Sequence, residues 1–372
     1  MRARCGVLSL GVMAVITTAC VGQAGVDGRD AGPVRPDGGL PGPDSAGSDG
    51  TVSGGPDGSG DAAGATVWRP FADSSPWNTR IPIAAPLDPT SAQLIADFAT
   101  VPGQDAFWMN IQDFSIPVYW VDSTTTPMVT VTAGLGAQGF RTGAPNEGDV
   151  QGSGQAPIPG DAMPAAGTDR HLAIVDRKAR LEWGFFNAGK IGAGWAVDVA
   201  ATQDLSGDGV RPPEHNSPWW AGHGPRACGF GLIAGLITVD EIKAGRIGHA
   251  LLVAYPHMRS RYYTPPASTA QGTTPDALST RGIMCGGRIQ LDPAVDITTL
   301  GLTATGLIIA RALQDYGAFV GDYSGAMSLY VDASPEAQAY WGTGVMDNAT
   351  ARKIPLNRFR VLKMGTIYDN MN

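Results

Sequence analysis

The segment HLAIVDRKARLEWGFFNA, residues 171–188, decides the fold class. Two apolar runs rich in β-branched and aromatic residues, 171–176 and 180–188, flank a polar reversal at 177–179. Such runs, bounded by turn residues, are typical of neighbouring strands. We therefore expect a sheet in which alternate side chains of each strand point to opposite faces.

Similar short runs recur along the chain and are bounded by Gly, Pro, Asn or Asp. They occupy residues 114–121, 127–132, 171–176, 180–188, 195–201, 249–256, 287–292, 318–323, 327–332 and 358–364. So many strands predict a mainly β (α+β) domain, either β-sandwich or jelly-roll-like or a closed β-barrel.

Three short helices are predicted between the strands. The first occupies residues 90–100 and begins at a Thr/Ser cap. The second occupies 238–245, where Thr238 and Glu241 have the spacing of a capping box. The third, 303–316, carries an apolar stripe on one side.

The first 20 residues have the layout of an export signal, because two arginines precede an apolar run that is too short to span a bilayer. Residues 17–20, TTAC, resemble a bacterial lipobox, in which cleavage leaves Cys20 as a lipidated N-terminus. Thr17 stands where Leu is usual, so simple signal-peptidase cleavage is the alternative. We expect a lipid-anchored protein of the bacterial cell envelope, at the outer membrane or cell surface, or else a secreted one.

Residues 21–66 are nearly all Gly, Asp, Pro, Ser and Ala, without one aromatic residue. Such a segment buries too little apolar surface to offset its ordering entropy, so we predict a disordered tether. No second linker interrupts residues 67–372, which predicts one β-rich domain. We expect a monomer. The net charge of −8 comes without a concentrated basic face, which argues against a nucleic-acid partner.

Two cysteines lie outside the signal, Cys228 and Cys285. In an oxidising compartment they are expected to form a disulfide, worth about 4 kcal/mol in the chain-entropy model. Two free buried thiols are the alternative. Zinc ligation is not indicated, since no CxxC motif or neighbouring His pair is present.

The stretch DYGAFVGDYSG, residues 315–325, contains two acids with different expected roles. Asp315 follows Arg311 by four residues on the third helix, which predicts an ordinary surface pair. Asp322 continues an apolar strand face. It is either a solvent-exposed residue at the end of the strand, just before a turn, or a partly desolvated acid with a raised pKa.

Further catalytic candidates lie in the strands. His171 and Glu182 fall on neighbouring predicted strands and suit acid and base roles, with a solvated sheet face as the alternative. His249 begins an apolar strand, either as a rim histidine or as a base at a cleft mouth. Arg288 suits the neutralisation of a uronate carboxylate.

Aromatic residues in two irregular segments suit stacking on sugar rings: Trp219, Trp220, Tyr262 and Tyr263. Ordinary loop packing explains them equally well. Residues 204–209 begin like a calcium-binding loop, with Asp204, Ser206 and Asp208 at the ligand positions, but the twelfth position is His215 instead of Glu. A calcium-binding turn of another type is the alternative. No other cofactor is expected.

Several segments together resemble a group of secreted bacterial proteins that has no assigned activity. The segments are SPWNTRIP, DRHLAIVD, LEWGFFNA, GLIAGLITVDEIKAGRIGHALLV and ARALQDYGAFVGDYSG. The resemblance spans most of residues 70–332. It implies a single exported domain and supplies no catalytic residue.

These observations favour an exported enzyme that acts on extracellular or cell-wall polysaccharide. Hydrolysis would use Glu182 and Asp322 as paired carboxylates. Elimination would use His171 or His249 as the base, with Arg288 at the uronate. The alternatives are a non-catalytic glycan-binding module and a structural envelope lipoprotein.

Overall fold

The hairpin predicted at residues 171–188 is present in the computed structural model of the chain. Its strands, Leu172–Asp176 and Leu181–Phe186, run antiparallel. Asp176 holds the turn, because its Oδ1 accepts hydrogen bonds from two backbone N–H groups of the turn at 2.9 and 2.8 Å. Burial alone would raise the pKa of Asp176, but these bonds and those from Ser123 lower it to about 2.

The structure describes residues 67–133, 139–141, 150–151, 153–211, 224–271 and 281–370, all within one compact unit, Ala63–Asn372. The predicted signal, the lipidation site Cys20, the tether and the candidate platforms Trp219 and Trp220 lie outside the described residues. Within the described ranges, no helix has both the length and the apolar character needed to cross a bilayer.

Strand dominates the secondary structure, with 27% strand against 16% helix, so the prediction of a mainly β protein is confirmed. The strands, numbered in chain order, are β1 Val118–Val121, β2 Val129–Ala133, β3 Gly139–Arg141, β4 Val150–Gln151, β5 Ser153–Ala156, β6 Leu172–Asp176, β7 Leu181–Phe186, β8 Gly189–Ile191, β9 Gly194–Val197, β10 Val199–Asp204, β11 Leu251–Tyr255, β12 Arg259–Tyr263, β13 Met284–Cys285, β14 Arg288–Leu291, β15 Ala318–Tyr323, β16 Ser328–Leu329, β17 Phe359–Val361 and β18 Tyr368–Asp369. The helices are α1 Ser91–Phe98, α2 Val239–Lys243, α3 Ala304–Asp315 and α4 Pro335–Tyr340.

The strands form four sheets, each with parallel and antiparallel pairs. Their orders are β1-β6-β7-β10-β3-β4, β16-β11-β15-β14-β17, β5-β2-β9-β8 and β13-β12-β18. Among the described strands no sheet closes on itself, so the closed-barrel alternative is wrong.

All three predicted helices form, and α2 has the predicted capping box between Thr238 and Glu241. A fourth helix, α4, was not expected, although Ser334 caps it and Pro335 occupies its first turn, a common helix start. The run predicted as one strand at 195–201 divides into β9 and β10 at Asp198, whose N–H donates to the carbonyl of Phe186 on β7.

The irregular segment 224–233 lies against both large sheets. A Cβ on Gly184 of β7 would meet Pro225 at 2.7 Å, and a Cβ on Gly321 of β15 would meet Phe230 at 3.0 Å. Glycine at both positions therefore permits the close approach of this segment. The predicted disulfide from Cys228 to Cys285 is present and ties the segment to β13.

The two acids of DYGAFVGDYSG are separated by a helix end and a strand, as predicted, but their partners differ from the expectation. Asp315 pairs with Arg80 at 3.5 Å, so the predicted pair with Arg311 is wrong. Arg311 bonds Gln314 instead. Asp322 is 8% exposed, so it is not a solvent-exposed residue at the end of β15.

Candidate functional site

Segment 224–233 brings three of the predicted catalytic residues to one place. His171 and Glu182 reach it from the hairpin β6-β7, and Asp322 reaches it from β15. Arg226, which sequence reasoning missed, lies among them. The site is therefore built where the two large sheets meet the disulfide-bonded segment.

Glu182 fixes the position of the segment. It is fully buried, and its carboxylate accepts hydrogen bonds from the backbone N–H groups of Leu232 at 2.5 Å and Ile233 at 3.4 Å. A Cβ on Gly231 would lie 2.6 Å from Oε2, so the segment passes directly over the carboxylate. Burial raises the pKa of Glu182, and the two N–H groups oppose that rise. This geometry indicates a positioning role, because no substrate reaches a fully buried carboxylate.

His171 is 2% exposed, and its Nε2 lies 3.3 Å from the carbonyl oxygen of Pro225. A carbonyl only accepts hydrogen bonds, so Nε2 carries the proton and Nδ1 keeps its lone pair. Burial, with help from Arg226, lowers the pKa of His171 to about 3. The imidazole is therefore neutral at physiological pH and a weak base, with Nδ1 lacking a hydrogen-bond partner among the described residues.

Arg226 is the centre of the group. Its side chain is fully buried, and its Nη2 donates to the carbonyl of Leu232 at 3.1 Å. The guanidinium lies 4.1 Å from the ring centroid of Tyr330. Within the described part of the chain, its Nε and Nη1 have no hydrogen-bond partner, and Nη1 lies 3.6 Å from Oδ2 of Asp322. Orphaned buried donors of this kind are uncommon in native proteins and need an explanation.

Asp322 accepts a hydrogen bond from the hydroxyl of Tyr330 at 3.3 Å. Burial raises the pKa of Asp322 to about 7, Arg226 opposes that rise, and the charge of Asp169 adds to it. The side chain keeps 12% of its surface exposed, and the next residue, Tyr323, is 42% exposed. Asp322 is thus the member of the group that combines a pKa near neutrality with a route to solvent.

Asp169 completes this site, which we call the Arg226 cluster: Asp169, His171, Arg226, Asp322 and Tyr330. Asp169 is half-buried, its pKa is raised by burial, and it interacts electrostatically with both Arg226 and Asp322. Asp169 could have been found from the sequence, because it stands two residues before the candidate His171. Arg226 and Tyr330 have no comparable local signal.

His249 is engaged elsewhere. Its Nε2 lies 2.9 Å from Oε1 of Glu241, and its Nδ1 lies 2.8 Å from the carbonyl oxygen of Ala250. Both partners only accept hydrogen bonds, so the doubly protonated ring suits them best. Burial alone would lower the pKa of His249, but the Glu241 carboxylate raises it. A charged, fully bonded and buried ring is not available as a base.

Arg288 is also committed to a structural contact. Its guanidinium donates to the carbonyl of Tyr316 at 2.9 and 2.7 Å and to that of Thr79 at 2.8 Å. Tyr316 caps the C-terminus of α3, where a cation is favourable. Burial lowers the pKa of Arg288 to about 10. Its donors face backbone carbonyls, and the structure shows no contact between Arg288 and the Arg226 cluster.

The candidate sugar platforms in β12 differ from each other. Tyr263 is fully buried and stacks on Tyr368 with centroids 5.4 Å apart, so it presents no open face. Tyr262 is half-buried between Arg259 and Arg261, whose guanidinium carbons lie 4.6 and 5.3 Å from its ring centroid.

The calcium-like turn uses its own side chains for backbone bonds. Oδ1 of Asp204 accepts from the N–H and hydroxyl of Ser206 at 2.8 and 2.6 Å, and Oδ1 of Asp208 accepts from the N–H of Val210 at 2.9 Å. Within the described ranges, no group of three or more His, Cys, Asp or Glu side chains is arranged to hold a metal ion.

No protein-family model, curated protein or solved structure matches the chain.

Proposed function

We propose that the protein is an exported, envelope-tethered hydrolase of extracellular polysaccharide and that Asp322 is its general acid. The observation that carries the proposal is the buried Asp322 carboxyl, with a pKa of about 7, set between Arg226 and the Tyr330 hydroxyl. A general acid works best when its pKa lies near the operating pH.

Hydrolysis of a glycosidic bond uses two carboxyl groups with different protonation states. Asp169 is the better second carboxylate than Glu182, because Asp169 is half-buried beside Arg226 whereas Glu182 is fully buried under Leu232 and Ile233. Asp322 gives its proton to the glycosidic oxygen as the C–O bond breaks. The Asp169 carboxylate takes a proton from the water whose oxygen bonds to the anomeric carbon.

The residues considered for elimination support that reaction less well. His171 is a weak base with a pKa of about 3, His249 is held by Glu241, and Arg288 is held by carbonyls. Elimination needs a base that takes a proton beside the uronate carboxylate. Hydrolysis is therefore the reaction that the geometry favours.

The cellular setting of the proposal comes from the N-terminal sequence. The apolar run ahead of Cys20 supports export and lipid anchoring, and residues 21–66 suit a spacer between the membrane and the domain. The contacts of segment 224–233 with both large sheets support a sandwich-like arrangement of these sheets.

The test is to incubate the full-length chain with a panel of neutral and uronic-acid polysaccharides. We expect new reducing ends without the ultraviolet absorbance of an unsaturated uronate. Asp322→Asn should lose at least about 100-fold in kcat/KM, since general acid catalysis contributes 10²–10⁴-fold.

Asp315→Asn is the matched control, because it makes the same change in the same stretch at a partly exposed side chain outside the Arg226 cluster. It should keep full activity. Unsaturated products, or an Asp322→Asn protein as active as the parent, would contradict the proposed role.

A further inference from the structure

An open cleft lies next to α4 and the π-helical turn Trp341–Val345. Its volume is about 500 Å³, within the usual range for small-ligand sites. The lining includes two tryptophans and three amide side chains: Trp108, Trp341, Gln112, Gln338 and Asn348. None of these residues belongs to the Arg226 cluster.

We propose that this cleft is a second, non-catalytic site that binds a neutral glycan chain. The half-buried indole of Trp108 can attract the C–H groups of a sugar ring, whereas Trp341 is buried and forms the floor. Amides exchange hydrogen bonds with sugar hydroxyls. The lining includes the carboxylate of Asp347, which repels an anionic polymer.

The floor of the cleft is rigid. Trp341 is 1% exposed, and its Nε1 donates to the carbonyl of Asp332 at 2.7 Å. Trp108 stands at the wall, half-buried, between backbone bonds to Met327 and Leu329. Arg352 lies 5.3 Å from the Trp108 ring centroid and adds a cation–π contact that holds the ring. A fixed aromatic ring stacks on a sugar with little loss of side-chain entropy.

The amides are oriented as well. Oδ1 of Asn348 accepts from the N–H of Ile111 at 2.9 Å, and its Nδ2 donates one hydrogen to Oε1 of Gln112 at 3.5 Å, which leaves the second Nδ2 hydrogen as a donor. Nε2 of Gln338 donates to the carbonyl of Ala333 at 2.8 Å, which leaves its Oε1 as an acceptor. The cleft thus offers both a donor and an acceptor, as neighbouring sugar hydroxyls require.

The glycines of the π-helical turn keep the cleft open. A Cβ at Gly342 or Gly344 would meet no atom within 4 Å, so packing does not explain either glycine. Gly344 has φ of 92°, which favours glycine, whereas Gly342 has no such requirement.

The experiment measures binding to the full-length chain by titration calorimetry. The ligands are cellohexaose, maltohexaose, chitohexaose and a hexagalacturonate. Each titration is repeated with the Asp322→Asn variant, which should bind the ligand without hydrolysing it. We expect at least one neutral hexasaccharide to bind, and hexagalacturonate to bind more weakly. Trp108→Ala should weaken binding roughly tenfold or more, and Trp108→Phe should restore most of it.

Gly342→Tyr tests the site without removing any contact of the fold, because the new ring occupies the open cleft. It should abolish binding while the melting temperature stays near that of the parent. Phe114→Ala, at an exposed ring outside the cleft, is the matched control and should bind normally.

The site is overturned if no neutral hexasaccharide binds, if Trp108→Ala or Gly342→Tyr binds like the parent, or if hexagalacturonate binds more tightly. Calorimetry measures binding at this cleft, and the release of reducing ends measures hydrolysis at the Arg226 cluster, so the two proposals are tested independently. An inactive protein that still binds cellohexaose through Trp108 would contradict only the catalytic proposal.

Discussion

Two buried pairs in this protein each join a carboxylate to a basic side chain. They differ in whether the nitrogens of the basic side chain all have hydrogen-bond partners. In the pair of Glu241 with His249, the charged atoms lie 2.9 Å apart and both ring nitrogens face acceptors. In the pair of Asp322 with Arg226, the charged atoms lie 3.6 Å apart, and two guanidinium nitrogens lack hydrogen-bond partners among the described residues.

The difference separates a structural pair from a candidate site. A complete pair favours its charged state, and removing either partner leaves an uncompensated buried charge. In the incomplete pair the acid has a pKa of about 7, so it changes protonation at the pH where an enzyme works. Isosteric carboxylate-to-amide changes at the two pairs should therefore shift stability in opposite directions.

The largest effect on stability is expected for Glu241→Gln. This change leaves the buried His249 imidazolium without its counter-charge and weakens the capping box at Thr238. Removing one partner of a buried pair costs about 3–5 kcal/mol. Urea unfolding at a pH of about 6 measures the loss.

The pH dependence provides the control for this pair. The pKa of His249 is raised in the folded state, so its contribution is fully present below the unfolded pKa of about 6.5 and is lost as pH rises through the folded pKa. Glu241→Gln and His249→Gln should both lose this slope. An unchanged slope in His249→Gln would show that the pair is not the titrating group.

A smaller effect of opposite sign is expected for Asp322→Asn. The pKa of Asp322 is about 7 in the folded state and about 4 when unfolded, so the native state binds more protons between these values. Stability therefore falls as pH rises from about 4 to 7 and stays lower above that range. The neutral amide removes this cost.

At a pH of about 8, Asp322→Asn should be more stable than the parent by roughly 1–3 kcal/mol. Urea unfolding at several pH values measures the difference, which should vanish near pH 4. A variant that is less stable at the higher pH would mean that the Arg226 contact outweighs burial and would place Asp322 with the structural pairs.

The sequence predicts the local part of this arrangement. Alternation places Glu182 and Gly184 on one face of β7, and both face segment 224–233 in the structure. The spacing of Thr238 and Glu241 predicts their capping box. These features depend on neighbours within a few residues, so periodicity and spacing are sufficient.

The positions of Asp322 and Arg226 depend on contacts between residues far apart in the sequence. Between β11 and β15 the register shifts, so that Val253 pairs with Val320 but Ala254 pairs with Asp322, and Gly321 is passed over. Strict alternation cannot place Asp322 after such a bulge. Arg226 lies in an irregular segment without periodicity, so its meeting with β15 and Tyr330 has no local signal.

The smallest effect is expected at the other acid of the stretch 315–325. Asp315 pairs with Arg80 at 3.5 Å, but the Arg80 side chain is 64% exposed, so solvent screens the interaction. Asp315→Asn should change the free energy of unfolding by less than about 0.5 kcal/mol. Urea unfolding beside Asp322→Asn makes the comparison direct. Asp315→Asn and Asp322→Asn make the same chemical change and differ in the burial of the side chain. If Asp315→Asn lost as much stability as Glu241→Gln, the difference in exposure would not explain the different roles of Asp315 and Asp322.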